Sequence, residues 1–259
     1  MSTTRNIGTI TTLRDLVVLR TLVVMRVLQV DQVMAIGGFS SVRRANRRLL
    51  KLVRAGLLKR WFVGTASGGQ KALYGLSPQG AALIGETRQG LIPWKQDLII
   101  TSSQFLAHQQ AVNAVFIQSR FAGLPPGLAC ERWMTFHEPL SPSVPLMPDG
   151  YLELMGESAV HPMFLEVDLG TESSRVWKRK VELYLKFALG GEFESMFHHK
   201  RFRVLVVPHS ERRMEAIRKT VAKRTEKLFW FSTQDDISQQ GLCSSIWLRP
   251  TSAERIPLL

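Results

Sequence analysis

Three carboxylates in the second half of the chain have the residue types and the spacing to hold a divalent cation. Asp149 follows Pro148 at the start of a strand-like run, and Glu166 and Asp168 lie two positions apart on the next such run. Alternate residues of a strand project from the same face, so we expect Glu166 and Asp168 to point the same way, with Asp149 on a paired strand facing the same space. Because Mg²⁺ and Mn²⁺ prefer carboxylate oxygens, Asp149, Glu166 and Asp168 are candidate metal ligands.

The same residues also have ordinary structural interpretations. A Pro-Asp dipeptide is typical of a turn, and a Glu-x-Asp pair on a strand commonly faces solvent. The context favours a site, because Glu166 follows the apolar residues "MFL" and a helix containing both Lys and Tyr comes next. Glu131 and Glu153 are further acidic residues that could supplement the cluster, since positions 149, 151 and 153 alternate onto one side of their strand.

The order of the elements around these carboxylates is informative. Apolar periodicity predicts a helix, three strands, a helix, a strand, a helix and closing strands in "LFWFST" and "SSIWLRP". This order is similar to that of the PD-(D/E)XK nuclease fold. The resemblance implies an α+β protein whose second half is an α/β nuclease-like domain with a central mixed sheet.

The nuclease resemblance also implies roles for individual residues. In that family a Pro-Asp and a later acidic-x-Lys triplet converge, the carboxylates bind Mg²⁺ or Mn²⁺, and the lysine helps to orient or activate water. Asp149, Glu166 and Asp168 match the acidic positions, but Asp168 stands where the motif lysine belongs. Lys180 on the following helix is the candidate substitute. Tyr184 lies four residues later and therefore on the same helical face.

A strongly basic segment marks the first half of the chain. The sequence "FSSVRRANRRLLKLVRAGLLKRW", residues 39–61, contains no Asp or Glu. Its apolar residues recur at helical spacing, with Ser40 or Ser41 placed to cap the helix and Gly56 placed to end it. A solvated basic face is one interpretation. However, soluble helices normally mix both signs of charge, so a face of this kind favours a polyanionic partner.

The elements that flank this helix resemble those of a winged helix-turn-helix. A core helix and a short helix precede it, and two strand-like runs joined by "GTASGGQ" and a Ser77-Pro78 helix start follow it. In that family the basic helix enters the DNA major groove and the hairpin lies along the backbone. The resemblance implies DNA contacts by Ser41, Arg43, Arg44, Arg47, Arg48 and Lys51 on the helix and by Lys59, Arg60 and Lys71 on the hairpin.

Charge and composition exclude several classes of protein. Residues 1–100 carry 15 Lys and Arg against 4 Asp and Glu, whereas the rest of the chain carries 19 against 17, so the excess charge is local. The basic residues do not form one long amphipathic anchor, no apolar run of about 18 residues appears, and no signal peptide is apparent, so we expect no membrane partner. Two cysteines are too few for a disulfide framework. We therefore expect a cytoplasmic protein.

Both halves together resemble the replication-relaxation family of plasmids and integrative elements. The matching stretches include "YGLSPQGAALI", "PDGYLEL", "FLEVDLGTE" and "KVELY". We accordingly expect a winged helix-turn-helix domain in residues 1–86, a linker in residues 87–102 and a nuclease-like domain in residues 103–259. The resemblance implies a bacterial mobile-element protein that acts in replication, mobilisation or their control, with double-stranded DNA as its partner.

Two hypotheses for the second domain remain open. In the first, it cuts or nicks DNA with Mg²⁺ or Mn²⁺, using Asp149, Glu166, Asp168 and Lys180. In the second, it is non-catalytic and serves as a dimerisation or docking scaffold of a transcription regulator or relaxosome accessory protein. Under the scaffold hypothesis, the partner is a second copy of the chain in a homodimer, or another replication or mobilisation protein.

Overall fold

The chain forms two compact units. A computed structural model describes residues 11–64, 68–86 and 102–259. Unit 1 comprises Met1–Asn113 and unit 2 comprises Ala114–Leu259. All of the predicted linker except Ser102 lies outside the described residues. The side chain of Asn113 donates hydrogen bonds to the carbonyl oxygens of Met25 and Val27 at 3.1 and 2.7 Å, which ties residues beyond position 102 to unit 1.

Unit 1 combines helices with a small antiparallel sheet. Its elements, in chain order, are α1 (Leu13–Met25), β1 (Val27–Leu28), α2 (Val30–Gly37), α3 (Val42–Arg54), β2 (Leu58–Gly64), β3 (Gln70–Leu76) and α4 (Pro78–Leu83), and α5 (Ser103–Arg120) contains the boundary between the units. The strand order is β1-β3-β2, with both pairs antiparallel. The predicted pairing of the two strand-like runs is therefore confirmed.

Local sequence signals explain where the helices of unit 1 begin. Thr12 and Asp15 form a reciprocal capping box at the start of α1, and Ser41 and Ser77 cap α3 and α4. The N-cap of α2 is Gln29. Val42, in the first turn of α3, is 50% exposed.

Unit 2 is built on a mixed five-stranded sheet with strand order β4-β5-β6-β7-β8. Its remaining elements, in chain order, are β4 (Ala129–Met134), β5 (Gly150–Met155), β6 (Val160–Asp168), α6 (Ser174–Leu189), α7 (Glu192–Phe197), β7 (Arg203–Pro208), α8 (Glu211–Ala222), β8 (Phe229–Phe231) and α9 (Gln234–Gln240). Strands β4, β5 and β6 pair antiparallel, and β6, β7 and β8 pair parallel. The predicted α+β class with a central mixed sheet is confirmed.

The end of unit 2 differs from the prediction. The segment "SSIWLRP" forms isolated bridges, Phe231 with Leu248 and Trp247 with Ile256, instead of a full strand. Helix α9 was not predicted, although Thr233 caps it by accepting a hydrogen bond from the backbone of Asp236 at 3.1 Å. Among the described residues, none of the helices combines the length and apolarity needed to cross a membrane.

An aromatic core fixes β6 against the helices that follow it. Phe164, in the middle of β6, lies with its ring centroid 5.0 Å from Phe202 and 5.5 Å from Phe197. Tyr184 and Phe187 of α6 contact the same ring at 5.8 and 6.0 Å. Since all these rings are buried, the register of α6 on β6 is well determined. That register decides which α6 side chains reach the carboxylates two and four positions beyond Phe164.

Candidate functional site

Glu166 lies at the centre of the candidate site in unit 2. It is only 1% exposed, and β6 places its backbone in parallel register with Val206. One carboxylate oxygen, Oε2, accepts a hydrogen bond from Lys180 Nζ at 2.7 Å, and Oε1 accepts one from the Tyr184 hydroxyl at 2.6 Å. The four-residue spacing of Lys180 and Tyr184 on α6 thus delivers two donors to one carboxylate.

Burial sets the protonation behaviour of Glu166. Loss of hydration raises the pKa of its carboxyl to about 7, the lowering effect of Lys180 opposes this rise, and the negative charge of Asp149 adds to it. Asp149 therefore contributes a repulsion between carboxylates. However, desolvation is the larger cause of the shift.

Lys180 bridges two carboxylates. Its ammonium nitrogen lies 2.7 Å from Glu166 Oε2 and 2.7 Å from Glu172 Oε1. Burial alone would lower the pKa of Lys180, but the two carboxylates outweigh it and raise that pKa above its ordinary value. Glu172 lies in the loop before α6, and its other oxygen, Oε2, is buried and has no hydrogen-bond partner in the described part of the chain.

Asp149 lies immediately before β5 and faces β6. Its Oδ2 atom accepts a hydrogen bond from the backbone N–H of Val167 at 2.7 Å, and its own N–H donates to the carbonyl of Leu165 at 3.0 Å. The Asp149 carboxylate therefore accepts a hydrogen bond from the residue that follows Glu166 on β6. Asp149 and Glu166 are the two predicted ligands that the fold brings together.

Asp168 faces α6, as Glu166 does, but has different partners. Its Oδ1 accepts from the Gly170 N–H at 2.6 Å and from Arg213 Nε at 2.8 Å. Its Oδ2 accepts from Trp177 Nε1 and from Arg213 Nη2, each at 2.7 Å. Burial would raise the pKa of Asp168, but these donors, with Arg213 foremost, hold it below its ordinary value. The geometry gives Asp168 a structural task, joining β6 to α6 and α8.

The two supplementary acidic residues lie apart from this arrangement. Glu153 accepts hydrogen bonds from the Tyr151 hydroxyl at 2.7 Å and from Arg132 at 3.2 Å. Glu131 is exposed on β4. Within residues 11–64, 68–86 and 102–259, no group of three or more His, Cys, Asp or Glu side chains is arranged to hold a metal ion.

In unit 1, α3 presents a cationic surface. Its apolar residues Ala45, Leu49 and Leu52 are buried. Four of the predicted DNA-contacting side chains are exposed: Arg43, Arg44, Arg47 and Lys51. Within the described ranges, no carboxylate forms an ion pair with any of these four. Ser41, also a predicted contact residue, caps α3 by accepting a hydrogen bond from the Arg44 N–H at 3.3 Å.

Arg48 differs from its neighbours on α3. It makes a two-pronged ion pair with Asp15 of α1, in which Nε donates to Oδ1 at 2.8 Å and Nη2 bonds to Oδ2. Asp15 is 1% exposed, and Arg48, above all, holds its pKa below the ordinary value against the effect of burial. Arg48 thus joins α3 to α1, a task that the sequence analysis had not foreseen for it.

The hairpin presents the three remaining predicted contacts. Arg60 is exposed and places its guanidinium 4.9 Å from the ring centroid of Phe62, which is itself 54% exposed. Lys59 Nζ lies 6.0 Å from the ring of Trp61. Lys71 is exposed on β3, opposite Val63 in the strand register. The described part of the hairpin therefore exposes cationic side chains and the ring of Phe62.

Sequence reasoning missed three residues of these sites. Glu172 has no periodic signal, because it lies in a loop. Arg213, on α8, is 45 positions from the carboxylate that it holds, so only the parallel β6–β7 pairing brings them together. Asp15 carried a visible signal, the Thr12-x-x-Asp15 capping pattern, but nothing in that pattern indicated Arg48 as a partner.

Comparisons with known proteins bear on this architecture. A family model described as replication-relaxation matches residues 19–200, which confirms the resemblance drawn from the sequence. No curated protein matches the chain significantly. Among solved structures, one described as restriction endonuclease FokI aligns with a TM-score of 0.33 at 11% identity. That alignment covers 87% of this chain and 43% of the other, so the chain spans less than half the length of that protein.

Proposed function

The chain belongs to the replication-relaxation family, and from that premise we propose that it is a DNA-binding protein of a bacterial mobile element, acting in replication, mobilisation or their control. Unit 1 then acts as a winged helix-turn-helix, with α3 as the recognition helix and β2 and β3 as the wing. One observation carries this proposal: α3 exposes Arg43, Arg44, Arg47 and Lys51 with no carboxylate partner among the described residues. Such a surface gains most from phosphate groups.

We further propose that unit 2 is a PD-(D/E)XK nuclease-like domain that cuts or nicks DNA. Asp149 and Glu166 would hold Mg²⁺ or Mn²⁺, because they are adjacent carboxylates of which one is desolvated and electrostatically strained. The bound ion would polarise the scissile phosphate and stabilise negative charge in the transition state. Asp168 drops out of the ligand set, since Arg213, Trp177 and Gly170 already occupy its oxygens.

Lys180 has a specific role in this proposal. Glu166 and Glu172 raise the pKa of Lys180, which favours the protonated amine. A protonated amine stabilises developing negative charge or donates a proton to the leaving group. Tyr184 holds Glu166 in place through its 2.6 Å hydrogen bond.

The non-catalytic alternative also has a specific observation in its favour. The ammonium of Lys180 already lies between Glu166 and Glu172, at 2.7 Å from each, and so neutralises part of the acidic site. In that case the carboxylates and Lys180 form a buried structural cluster. Unit 2 would then act as a dimerisation or docking scaffold.

A cleavage assay separates the two functions. Supercoiled DNA is incubated with the protein and Mg²⁺ or Mn²⁺, and the nicked and linear products are measured. Catalysis predicts metal-dependent products that Glu166→Ala and Lys180→Ala abolish. Lys178→Ala is the matched control, because Lys178 is exposed on the same helix and should retain activity. Absence of products with duplex binding intact would select the scaffold.

DNA binding is tested independently on unit 1 residues in the full chain. If Arg47 contacts a base, Arg47→Gln should cost about 1–3 kcal/mol on the preferred sequence only. If it contacts phosphate, the loss should be equal for all sequences, with a flatter salt dependence. Unchanged affinity in Arg43, Arg44, Arg47 and Lys51 variants alike would refute the assignment of α3.

A further inference from the structure

A basic cavity lies beside the cationic surface of α3. Its volume is about 370 Å³, and it is formed by α1, by the turn between α2 and α3, and by one side of α3. The side chains and glycine that line it are Arg14, Gly38, Phe39, Ser40, Arg44, Arg47, Arg48 and Lys51. Five of these eight residues are cationic, and none is acidic.

The walls of the cavity are held by specific contacts. The ring of Phe39 folds back over Gly37, where an added methyl group would collide with it. Arg14 places its guanidinium 4.8 Å from the centroid of the same ring. On the opposite side, Arg44 Nη1 donates a hydrogen bond to the Ser40 hydroxyl at 2.8 Å. The cationic groups are thus partly oriented before any ligand arrives, which lowers the entropic cost of binding one.

Among the described residues, Asp15 is the one carboxylate that forms an ion pair with a side chain of the cavity. The carboxylate of Asp15 is committed to Arg48 and to the α1 capping box. Within the described residues, Arg14, Arg44, Arg47 and Lys51 have no carboxylate partner. Four uncompensated cations around one concave space repel one another, and a bound anion relieves that repulsion. Guanidinium groups in particular match the oxygens of phosphate.

We propose that this cavity seats a backbone phosphate of duplex DNA and that Arg14, on α1, is one of its ligands. The inference rests on the DNA-binding function proposed above and adds to it a contact outside α3 and the hairpin. A phosphodiester is favoured because Arg44, Arg47 and Lys51 belong both to the cavity and to the exposed surface of α3, so one strand can follow both. Phosphate contacts of this kind fix the register of a protein on DNA without reading its sequence.

The test measures affinity for two unrelated duplexes of equal length, by fluorescence anisotropy over a range of KCl concentrations. Arg14→Gln should weaken both duplexes by the same factor, about eightfold near 0.1 M salt, and should reduce the slope of log K against log salt by about 0.9. Arg20→Gln is the matched control, because Arg20 is exposed on the same helix but does not line the cavity. It should leave the slope unchanged.

Arg14→Lys tests whether the effect of Arg14→Gln comes from the lost charge or only from the lost contact with Phe39. It keeps the charge and should keep the wild-type slope, and thermal unfolding checks that each variant folds. The inference is wrong if Arg14→Gln behaves like Arg20→Gln, or if it weakens binding to only one of the two duplexes. It is also wrong if Arg14→Lys reduces the slope of log K against log salt as much as Arg14→Gln does. If Arg47→Gln weakens binding while Arg14→Gln does not, the cavity assignment alone fails. If the wild type binds neither duplex, the proposed function fails too.

Discussion

Replacing Asp168 by asparagine is expected to destabilise the protein by about 3–5 kcal/mol, the cost of breaking a buried ion pair from one side. The carboxylate is 1% exposed and accepts hydrogen bonds from Gly170, Trp177 and, twice, from Arg213. An asparagine amide keeps one acceptor oxygen and turns the other into a donor, which then faces two donors. The Arg213 guanidinium, whose side chain is 18% exposed, is left without its counter-charge.

Chemical denaturation at pH 7, followed by circular dichroism, measures this loss in the free energy of unfolding. Thermal unfolding gives a second measurement. For a domain of the size of unit 2, each kcal/mol lowers the melting temperature by about 2–4 °C, so the expected fall is about 6–20 °C. Asp235→Asn serves as the control, because Asp235 is exposed in the first turn of α9 and its loss should cost less than about 1 kcal/mol.

The pH dependence supplies a second check on Asp168. Its pKa is held below the ordinary value of 3.8, so its stabilising contribution is complete above that value and is lost as the pH falls through the folded-state pKa. The wild type and Asp168→Asn should therefore converge in stability in strong acid. An Asp168→Asn protein as stable as the wild type, but with weakened Mn²⁺ binding, would refute the structural role and restore Asp168 as a ligand.

Three further predictions follow from single contacts. In metal-free buffer, the pKa of Glu166 is raised to about 7 in the native state, compared with an ordinary value of 4.5. The native state therefore binds this proton more tightly than the unfolded state does. Stability should therefore fall by on the order of 3 kcal/mol as the pH rises through that window, and Glu166→Gln should lack this component in denaturation curves. Gly80→Ala should cost about 1–3 kcal/mol, since the added methyl would collide with the backbone carbonyl of Leu57. Asn113→Ala should cost about 1–3 kcal/mol in thermal unfolding, because two buried carbonyls lose their donor. Wild-type stability in either of the last two variants would contradict the contact concerned.

Local chemistry made much of the fold predictable. Ser41, Ser77 and the Pro78 start placed two helices of unit 1, and the strand pattern indicated that β5 and β6 pair. The four-residue spacing of Lys180 and Tyr184 put both side chains on one face, and both reach Glu166. Each of these signals operates within one element or between neighbouring ones, where sequence distance is a fair guide to spatial distance.

Contacts between side chains that are distant in sequence could not be predicted from the sequence. The strand period correctly places Glu166 and Asp168 on one face, but it cannot tell which carboxylate meets Lys180 and which meets Arg213. That choice depends on how α6 and α8 cross the sheet, which the packing of Phe164 and its aromatic neighbours decides. The two carboxylates therefore looked equivalent in sequence, yet burial and partners give their pKa values shifts in opposite directions.

The arginines discussed above form two groups, according to whether they pair with a buried carboxylate. Arg48 and Arg213 each meet a carboxylate that is about 1% exposed, so removing either leaves a buried charge and should be read out as lost stability. Arg14, Arg44 and Arg47 meet no carboxylate among the described residues, so removing one should relieve repulsion and leave the fold intact. Loss of DNA binding without loss of stability in the Arg14, Arg44 and Arg47 variants is the pattern that a duplex-binding unit 1 requires. If the basic surface merely solvates the protein, these variants should show no loss of DNA binding.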